Sequence, residues 1–339
     1  MRLARWLTGL GMAAGLAAWL PSPASASEGV IEINQAIALA GGVNGDLLAD
    51  PVGFPVNISQ PGSYRLTGDL SVDQNTTAIV IAADDVSIDL GGFAIHGPNT
   101  CSGGGAIPVV CTLNGSGRGI VSLSPHSGTS VRNGTVEGMG STGIDLHTVE
   151  SRVEGVSAGN NGGMGLLLAS GLISQVQAFR NRFDGIWGVG LHVTHSSTSS
   201  NGGAGITVND GSVVSECTSR NNYGGGIVAN GYGTVVAGNT VSGSGRNGIY
   251  TGGSALVTNN HVDSSGGCGV FNTGAVAGAL SSLGGNALLR NNTLNLCASS
   301  SGQNEFEGPV LATSCNVITC TTGSVLLGTL CPPNIVQCL

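Results

Sequence analysis

The densest group of ionisable side chains in this sequence lies between residues 180 and 220. A carboxylate and an imidazole within hydrogen-bond reach can transfer a proton, and an arginine can neutralise an acidic ligand. We therefore predict that His195, Glu216 and Asp184 are catalytic. The alternative is a solvated face whose opposite charges pair between neighbouring strands. The group consists of Arg180, Arg182, Asp184, His192, His195, Glu216 and Arg220.

His195 and Glu216 stand out because they have the same position relative to a recurring glycine. Each lies ten residues before a Gly-Ile pair, at Gly205 and Gly226, and Gln175 has the same offset one unit earlier. If the units stack as coils, equal offsets place these side chains on adjacent coils, with backbones ~4.8 Å apart. Glu216 could then orient His195 or raise its basicity.

A column of outward side chains is the second candidate feature. The residue two places after each recurring glycine should point away from the interior, because the residue between them is always aliphatic. This column includes Trp187 and Tyr250, whose flat apolar faces suit sugar rings. The alternative is that another segment or a partner subunit covers the column. The predicted substrate-binding residues are Gln175, Arg180, Arg182, Trp187, His192, Arg220 and Tyr250.

The recurring glycine defines an internal repeat that must position these residues. Its intervals are 20 to 22 residues, which indicates a solenoid. Apolar residues alternate with a period of two, and the intervening Gly, Asn and Ser suit tight turns. No unit has a stretch long enough and free enough of glycine for a helical repeat, and the dense leucine pattern of leucine-rich repeats is missing. The glycines are Gly143, Gly165, Gly185, Gly205, Gly226, Gly248 and Gly269.

Two further columns should point inward. Twelve residues before each recurring glycine is an aliphatic residue, such as Val193 or Val214. Nine residues before it the column is smaller or polar, and includes Cys217. In this second column Asn239 and Asn260, continued by Asn292, are predicted to form a buried amide ladder. Cys217 is predicted to be a buried free thiol.

A coil of about 21 residues with short strands resembles the right-handed parallel β-helix of the pectin-lyase-like superfamily. The resemblance covers residues 62–297 and implies an all-β fold, with residues 86–92 similar to the entry coil of many secreted β-helix proteins. It implies little about activity. Asp84, Asp85 and Asp89 do not reproduce the acidic motifs of polygalacturonases, so we predict a turn or cap role for them.

The remaining segments read as export and capping elements. Residues 1–26 are predicted to be a secretory signal peptide, with a signal anchor as the alternative. Residues 27–61 contain a predicted helix over 29–42, which caps the solenoid, and a connection. Residues 298–339 are predicted to form a cysteine-rich C-terminal cap. Cys101 and Cys111 are predicted to form a disulfide in the exported protein. The other cysteines, apart from Cys217, can form further disulfides.

Composition limits the partners. The net charge is −8 and all basic residues other than histidine are arginine, which argues against a nucleic-acid partner. It also argues against strong electrostatic capture of polyanions, although a local arginine cluster could bind an acidic sugar. The cysteine spacing does not fit zinc, and no metal or other cofactor is predicted. No membrane span is predicted after removal of the signal peptide, so the protein is expected to be secreted or periplasmic.

These observations lead to one predicted function with an alternative. We predict a secreted β-helix protein that binds or modifies a polysaccharide or cell-surface glycan, with lyase, hydrolase and epimerase activities left open. The alternative is a non-catalytic extracellular protein with a structural or adhesive role. Acidic and basic groups that converge in a groove would indicate an enzyme, whereas an exposed aromatic strip without such groups would indicate a binding module.

Overall fold

The chain forms a right-handed parallel β-helix in which each regular coil contributes one strand to each of three parallel sheets. The structure is a computed structural model. It describes residues 29–273 except 44, 114 and 123–125, together with 280–284, 286–289, 291, 296–298, 303–307 and 311–312. The predicted fold class is confirmed. The signal peptide and residues 313–339 of the predicted C-terminal cap lie outside the described residues.

The marker sheet contains the strand that begins directly after each recurring glycine. In the strands that begin at Val56 and at each later position up to Val270, the first residue is aliphatic, points inward and is fully buried, as the repeat predicts. The strands are Val56–Ile58, Ile79–Ile81, Ile120–Ser122, Ile144–Leu146, Leu166–Leu168, Ile186–Gly188, Ile206–Val208, Ile227–Ala229, Ile249–Thr251, Val270–Asn272 and Leu296–Ala298.

The second and third sheets follow in each coil, and two long strands pass from the second into the third. The second sheet contains Ile31–Ile33, Gly62–Leu66, Val86–Asp89, the first part of Ser130–Glu137 and of Ser151–Gly159, Gly171–Ser174, Leu191–Thr194, Val213–Ser215, Thr234–Ala237, Ala255–Thr258, Leu280–Gly284 and Gln303–Glu307. The third contains Leu70–Ser71, Ala94–His96, the remainder of both long strands, Gln177–Phe179, Ser197–Ser199, Thr218–Arg220, Thr240–Ser242, His261–Asp263, Ala287–Leu289 and Leu311–Ala312.

The corner between the second and third sheets bends sharply at one residue per coil. That residue lies ten positions before the recurring glycine and has a positive φ in seven successive coils. A positive φ turns the backbone through the left-handed region, which lets the chain change direction without an added loop. The position is occupied by Asn133, Gly155, Gln175, His195, Glu216, Gly238 and Asn259, with φ between 49° and 69°.

Two buried amide ladders run along the interior. In the predicted ladder, Asn239 Nδ2 donates to Asn260 Oδ1 over 2.9 Å, and Asn260 Nδ2 donates to Asn286 Oδ1 over 3.0 Å. Asn286 therefore takes the place predicted for Asn292, because it follows Leu283, which pairs with Val257, by three residues, just as Asn260 follows Val257. Asn292 itself lies outside the described residues. The second ladder was not predicted and consists of Asn161, Asn181, Asn201 and Asn222.

The N-terminal helix is shorter than predicted. It spans Gln35–Ala40 and begins at the cap residue Asn34, whose side chain accepts the N–H of Ile37. The preceding residues Ile31–Ile33 form a strand that pairs with Gly62–Leu66, so the helical spacing of Ile33 was misleading. The helix protects an edge of the third sheet, because Gln35 Oε1 accepts the N–H of Ser71 over 2.8 Å.

The segment that interrupts the repeat is an antiparallel hairpin, Cys101–Gly104 and Ile107–Cys111. The predicted Cys101–Cys111 disulfide closes its base. The hairpin lies along the turns that enter the marker sheet, because Val109 packs against Gly202 and the Gly105 N–H donates to the Asn221 carbonyl. It therefore forms a wall beside the outer face of that sheet.

Cys217 and Cys268 agree with the remaining cysteine predictions. Cys217 is a buried free thiol in the inward column, and burial raises its pKa to about 11. Cys268 is disulfide-bonded. No helix among the described residues is long and apolar enough to cross a membrane.

Candidate functional site

The predicted site residues lie on several sides of the solenoid. His195, Glu216 and Gln175 occupy the corner between the second and third sheets, whereas His192 lies on the exposed face of the second sheet. Arg180 and Arg220 lie where the chain leaves the third sheet. Arg182, Asp184, Trp187 and Tyr250 lie at the entry or on the outer face of the marker sheet. The dense group in the sequence is therefore not one patch in the structure.

The predicted contact between His195 and Glu216 is present. His195 Nε2 lies 2.5 Å from Glu216 Oε2, and the Thr194 hydroxyl lies 2.8 Å from His195 Nδ1. The two side chains are 61% and 63% exposed. A pair this open to water interacts weakly, because solvent and salt screen its charges. Its catalytic role stays a prediction.

Asp184 and Tyr250 line one cleft of about 510 Å³ on the outer face of the marker sheet. The floor consists of side chains from the outward column: Thr207, Val228 and Tyr250. The wall consists of the turns that enter the marker strands, and includes Asp184, Gly202–Ala204, Tyr223–Gly225 and Arg246–Asn247. The structure thus joins two residues that the sequence assigned to different roles.

Asp184 is held rigidly at one end of this cleft. Its Oδ1 accepts the N–H of Ala204 over 2.7 Å, and its carboxylate also accepts a hydrogen bond from Thr207. Burial raises the pKa of Asp184, and these two hydrogen bonds act in the opposite direction. Tyr250 lies further along the axis, with its ring 5.7 Å from that of Phe271. Trp187 is half-buried in the same outward column.

A second constellation on the same face was missed. Asp145 lies in the outward column but is buried, with its side chain only 4% exposed. Arg118 Nε lies 2.9 Å from Asp145 Oδ2, and His147 Nε2 lies 3.1 Å from Asp145 Oδ1. The arginine and histidine side chains are 35% and 51% exposed, so both reach the surface from a shared buried anion.

The electrostatics of this constellation are governed by burial. Loss of solvent raises the pKa of Asp145, although the nearby charges of Arg118 and His147 act against that change. The Arg118 Nε and Asp145 Oδ1 atoms are buried and lack a well-aligned hydrogen bond among the described residues. Carboxylates with a pKa shifted by burial and by a specific charged partner are common at functional sites.

A signal for this constellation was present in the sequence. Asp145 is the only acidic residue in a column that otherwise reads Val121, Leu167, Trp187, Thr207, Val228, Tyr250 and Phe271. Packing alone does not explain an acidic residue such as Asp145 in a mostly apolar outward column. His147, two residues later, is a second polar side chain on the same side of the strand. Arg118 could not be linked to it by offset, because the long interruption at 98–118 hides the coil spacing before Gly119.

The other acidic residues have structural contacts. Asp84 Oδ1 accepts the N–H of Ser127 over 2.8 Å, and this bond is the main cause of its lowered pKa. Asp89 Oδ1 accepts the N–H of Gly91 over 2.9 Å. These contacts agree with the predicted turn roles. Among the described residues, no three His, Cys, Asp or Glu side chains are placed to bind a metal ion.

Comparison with known proteins gives a structural likeness. No protein-family model and no curated protein matches the chain. The A-modules of two Azotobacter vinelandii mannuronan C-5 epimerases, AlgE4 and AlgE6, superpose with TM-scores of 0.60 at 14% identity. The matches cover 79% and 81% of this chain and 91% and 92% of theirs. The periplasmic alginate epimerase AlgG matches with a TM-score of 0.42 at 14% identity, over 76% of each chain.

At this level of identity the likeness concerns the fold. The stacked three-strand coils, the inward aliphatic columns and the buried amide ladders agree with it. The chain has a right-handed parallel β-helix fold similar to that of these A-modules.

Proposed function

We propose that this protein binds an acidic polysaccharide along the outer face of its marker sheet and transfers a proton at a uronate residue. The observation that carries the proposal is the buried Asp145 carboxylate between Arg118 and His147. The three side chains combine a cation, a titratable imidazole and an anion that holds both. The two fold relatives named mannuronan C-5 epimerases act on a uronate polymer, which supports this substrate class.

Each residue has a separate task in the proposed reaction. The exposed part of the Arg118 guanidinium pairs with the uronate carboxylate and stabilises the negative charge that develops there. Asp145 contacts Nε2 of the His147 ring, which leaves the other ring nitrogen to exchange a proton with the substrate. Removal of the proton next to the carboxylate leaves an electron pair that is delocalised into the carboxylate.

Two outcomes share this first step. Return of a proton from water on the opposite side gives the epimer at the same carbon, and the hydroxide that remains takes the proton held by His147. Expulsion of the glycosidic oxygen on the next carbon, with transfer of that proton from His147 to the leaving oxygen, gives an unsaturated sugar and a shorter chain. The proposal covers both reactions. The non-catalytic alternative predicts binding without either product.

The test combines a substrate panel with matched variants. Uronate and neutral polysaccharides are incubated with the protein in deuterated water, and the products are analysed by NMR for deuterium incorporation and unsaturated ends. With a responsive polymer, Asp145→Asn and His147→Ala should each lower turnover by about 10²-fold or more, as for loss of acid–base catalysis. His195→Ala and Glu216→Ala are the controls, because their contact has the same chemistry on a different side of the molecule.

Each result has a definite meaning. Full turnover by the Asp145 and His147 variants would overturn the proposed site. Loss of turnover in His195→Ala and Glu216→Ala instead would move the chemistry to the corner pair. Polymer binding without deuterium exchange or unsaturated product would favour the non-catalytic alternative.

A further inference from the structure

The cleft between Asp184 and Tyr250 lies on the same face as Asp145, but further along the solenoid. The strand register runs from Asp145 through Leu167 and Trp187 to Thr207, and then through Val228 to Tyr250. At ~4.8 Å per coil, the cleft floor therefore extends from ~14 Å to ~24 Å beyond Asp145. A polymer aligned with the axis that meets Asp145 also passes over this cleft.

The two ends of the cleft offer different polar chemistry. Asp184 presents a fixed carboxylate at the near end, which can accept hydrogen bonds from hydroxyl groups. Arg246 is exposed at the far end and forms no ion pair with a described residue. It also borders an adjoining hollow of about 470 Å³, which the hairpin residues Gly105 and Ala106 help to line. An arginine in this position can bind a carboxylate from either side.

The middle of the cleft favours flat, partly apolar groups. The rings of Tyr223 and Tyr250 line it, while glycines at 202, 203, 224 and 225 keep its wall low. A side chain at Gly203 would collide with the Asp184 carboxylate, so the local packing requires glycine at this position of the wall. Tyrosine rings pack against apolar faces and keep a polar hydroxyl group at the edge, which matches the two-sided character of a sugar ring.

We infer that this cleft is a remote subsite for a uronate-containing polysaccharide, with Arg246 binding the carboxylate of one sugar and Asp184 the hydroxyl groups of another. The inference rests on the polymer-binding part of the proposed function, but it does not require turnover. It adds a requirement for chain length: a short oligosaccharide at Asp145 cannot reach Arg246. The protein should therefore prefer long chains to short ones.

The experiment measures binding with the Asp145→Asn protein, so that no turnover interferes. Calorimetry compares uronate oligosaccharides that span less than ~14 Å with ones that span more than ~24 Å, the two limits set by the coil spacing. Neutral glucan oligosaccharides of the same lengths are the ligand control. The long uronate should bind at least tenfold more tightly than the short one, the effect of roughly one extra charge-assisted hydrogen bond.

Variants locate the length dependence. Arg246→Gln keeps an exposed polar side chain and should fold normally, and it should abolish most of the tenfold advantage of the long uronate. Tyr250→Ala should do the same. The matched controls are Arg152→Gln on the second sheet and Tyr232→Ala in an exposed turn, and both should retain the advantage.

The outcomes separate this inference from the proposed reaction. Equal affinity for long and short uronates, an unchanged preference in Arg246→Gln and Tyr250→Ala, or equal binding of neutral glucan would overturn the subsite. If turnover at Asp145 is found in those cases, the proposed function stands without it. If the length preference is found and depends on Arg246, the subsite stands even when no turnover is detected.

Discussion

Of the four contacts between a histidine and an acid in the described residues, two have opposite surroundings. At the corner, His195 and Glu216 are both more than half exposed. On the marker sheet, His147 contacts Asp145, whose side chain is 4% exposed and which also contacts Arg118. The distances are similar at 2.5 Å and 3.1 Å, so distance does not distinguish the two places.

Burial is what separates them. Water and salt screen the charges of the corner pair, so the attraction between its partners is weak. The buried Asp145 carboxylate cannot be screened in this way, and its pKa is raised by loss of solvent. The buried Asp145 charge is compensated by Arg118 and His147. Both of these side chains contact Asp145 and also reach the surface. The exposed contact therefore marks a repeat position, while the buried one marks a candidate site.

The largest expected effect concerns the interior that supports both places. Val214 points inward and is fully buried in the strand that ends directly before Glu216. Val214→Asp would bury an unpaired charge among aliphatic side chains, and should lower the free energy of unfolding by at least ~4 kcal/mol. Urea denaturation followed by circular dichroism measures the change.

Val213→Asp is the matched control, because Val213 is only partly buried and its side chain points outward from the same strand. Its effect should be much smaller. Similar losses for both variants would show that the strand faces are not as different as the alternation indicates, and that the rigid support assumed for both places is wrong.

The sequence predicted the fold because every coil repeats the same physical constraints. The glycine and the aliphatic residue after it recur in each unit, and so does the inward column that contains Val193 and Val214. Equal offsets also predicted the contact of His195 with Glu216, since stacking converts offset directly into proximity. The amide ladder failed only at its third member, which is Asn286 and not Asn292, because the strand that pairs with Ala255–Thr258 lies at Leu280–Gly284.

The candidate site was harder to predict because it depends on departures from the repeat. Asp145 is one exception in an apolar column, and Arg118 follows an interruption that offsets cannot cross. The cleft at Asp184 depends on which turns leave space beside the sheet, which no single column reveals. Burial of Asp145 is likewise a property of the packed coils, so its perturbed pKa could not be read from spacing.

The next effect in size is a pH dependence that only the buried acid should show. Because burial raises the pKa of Asp145, its contribution to stability is fully present below the ordinary aspartate pKa and is lost as the pH rises through the folded-state value. Asp145→Asn removes this dependence. The free energy of unfolding of Asp145→Asn should therefore rise relative to that of the wild type between acidic and neutral pH. Denaturation curves at several pH values measure the difference.

Glu216→Gln is the control for that series, since Glu216 is the exposed acid of the other pair. Its difference from the wild type should change little with pH. If Glu216→Gln shows the larger pH dependence, the two places have been assigned the wrong electrostatic character. A flat difference for Asp145→Asn would show that Arg118 and His147 compensate the carboxylate fully.

The smallest expected effect is the coupling between His195 and Glu216. An exposed ion pair contributes about 0.2–1 kcal/mol, because water competes for both partners and ordering the side chains costs entropy. A double-mutant cycle with His195→Ala, Glu216→Ala and the double variant isolates this term from other effects of each substitution. The coupling should not exceed ~1 kcal/mol and should weaken further with added salt. His195 and Glu216 both have a positive φ, which is unfavourable for alanine as well. Each single substitution changes this backbone energy by the same amount in the presence and in the absence of the other, so it cancels in the cycle.

A coupling above ~2 kcal/mol that resists salt would show that the corner is shielded from solvent in solution. In that case the burial argument would apply to His195 and Glu216 as well, and the corner would become an equal candidate for the chemistry.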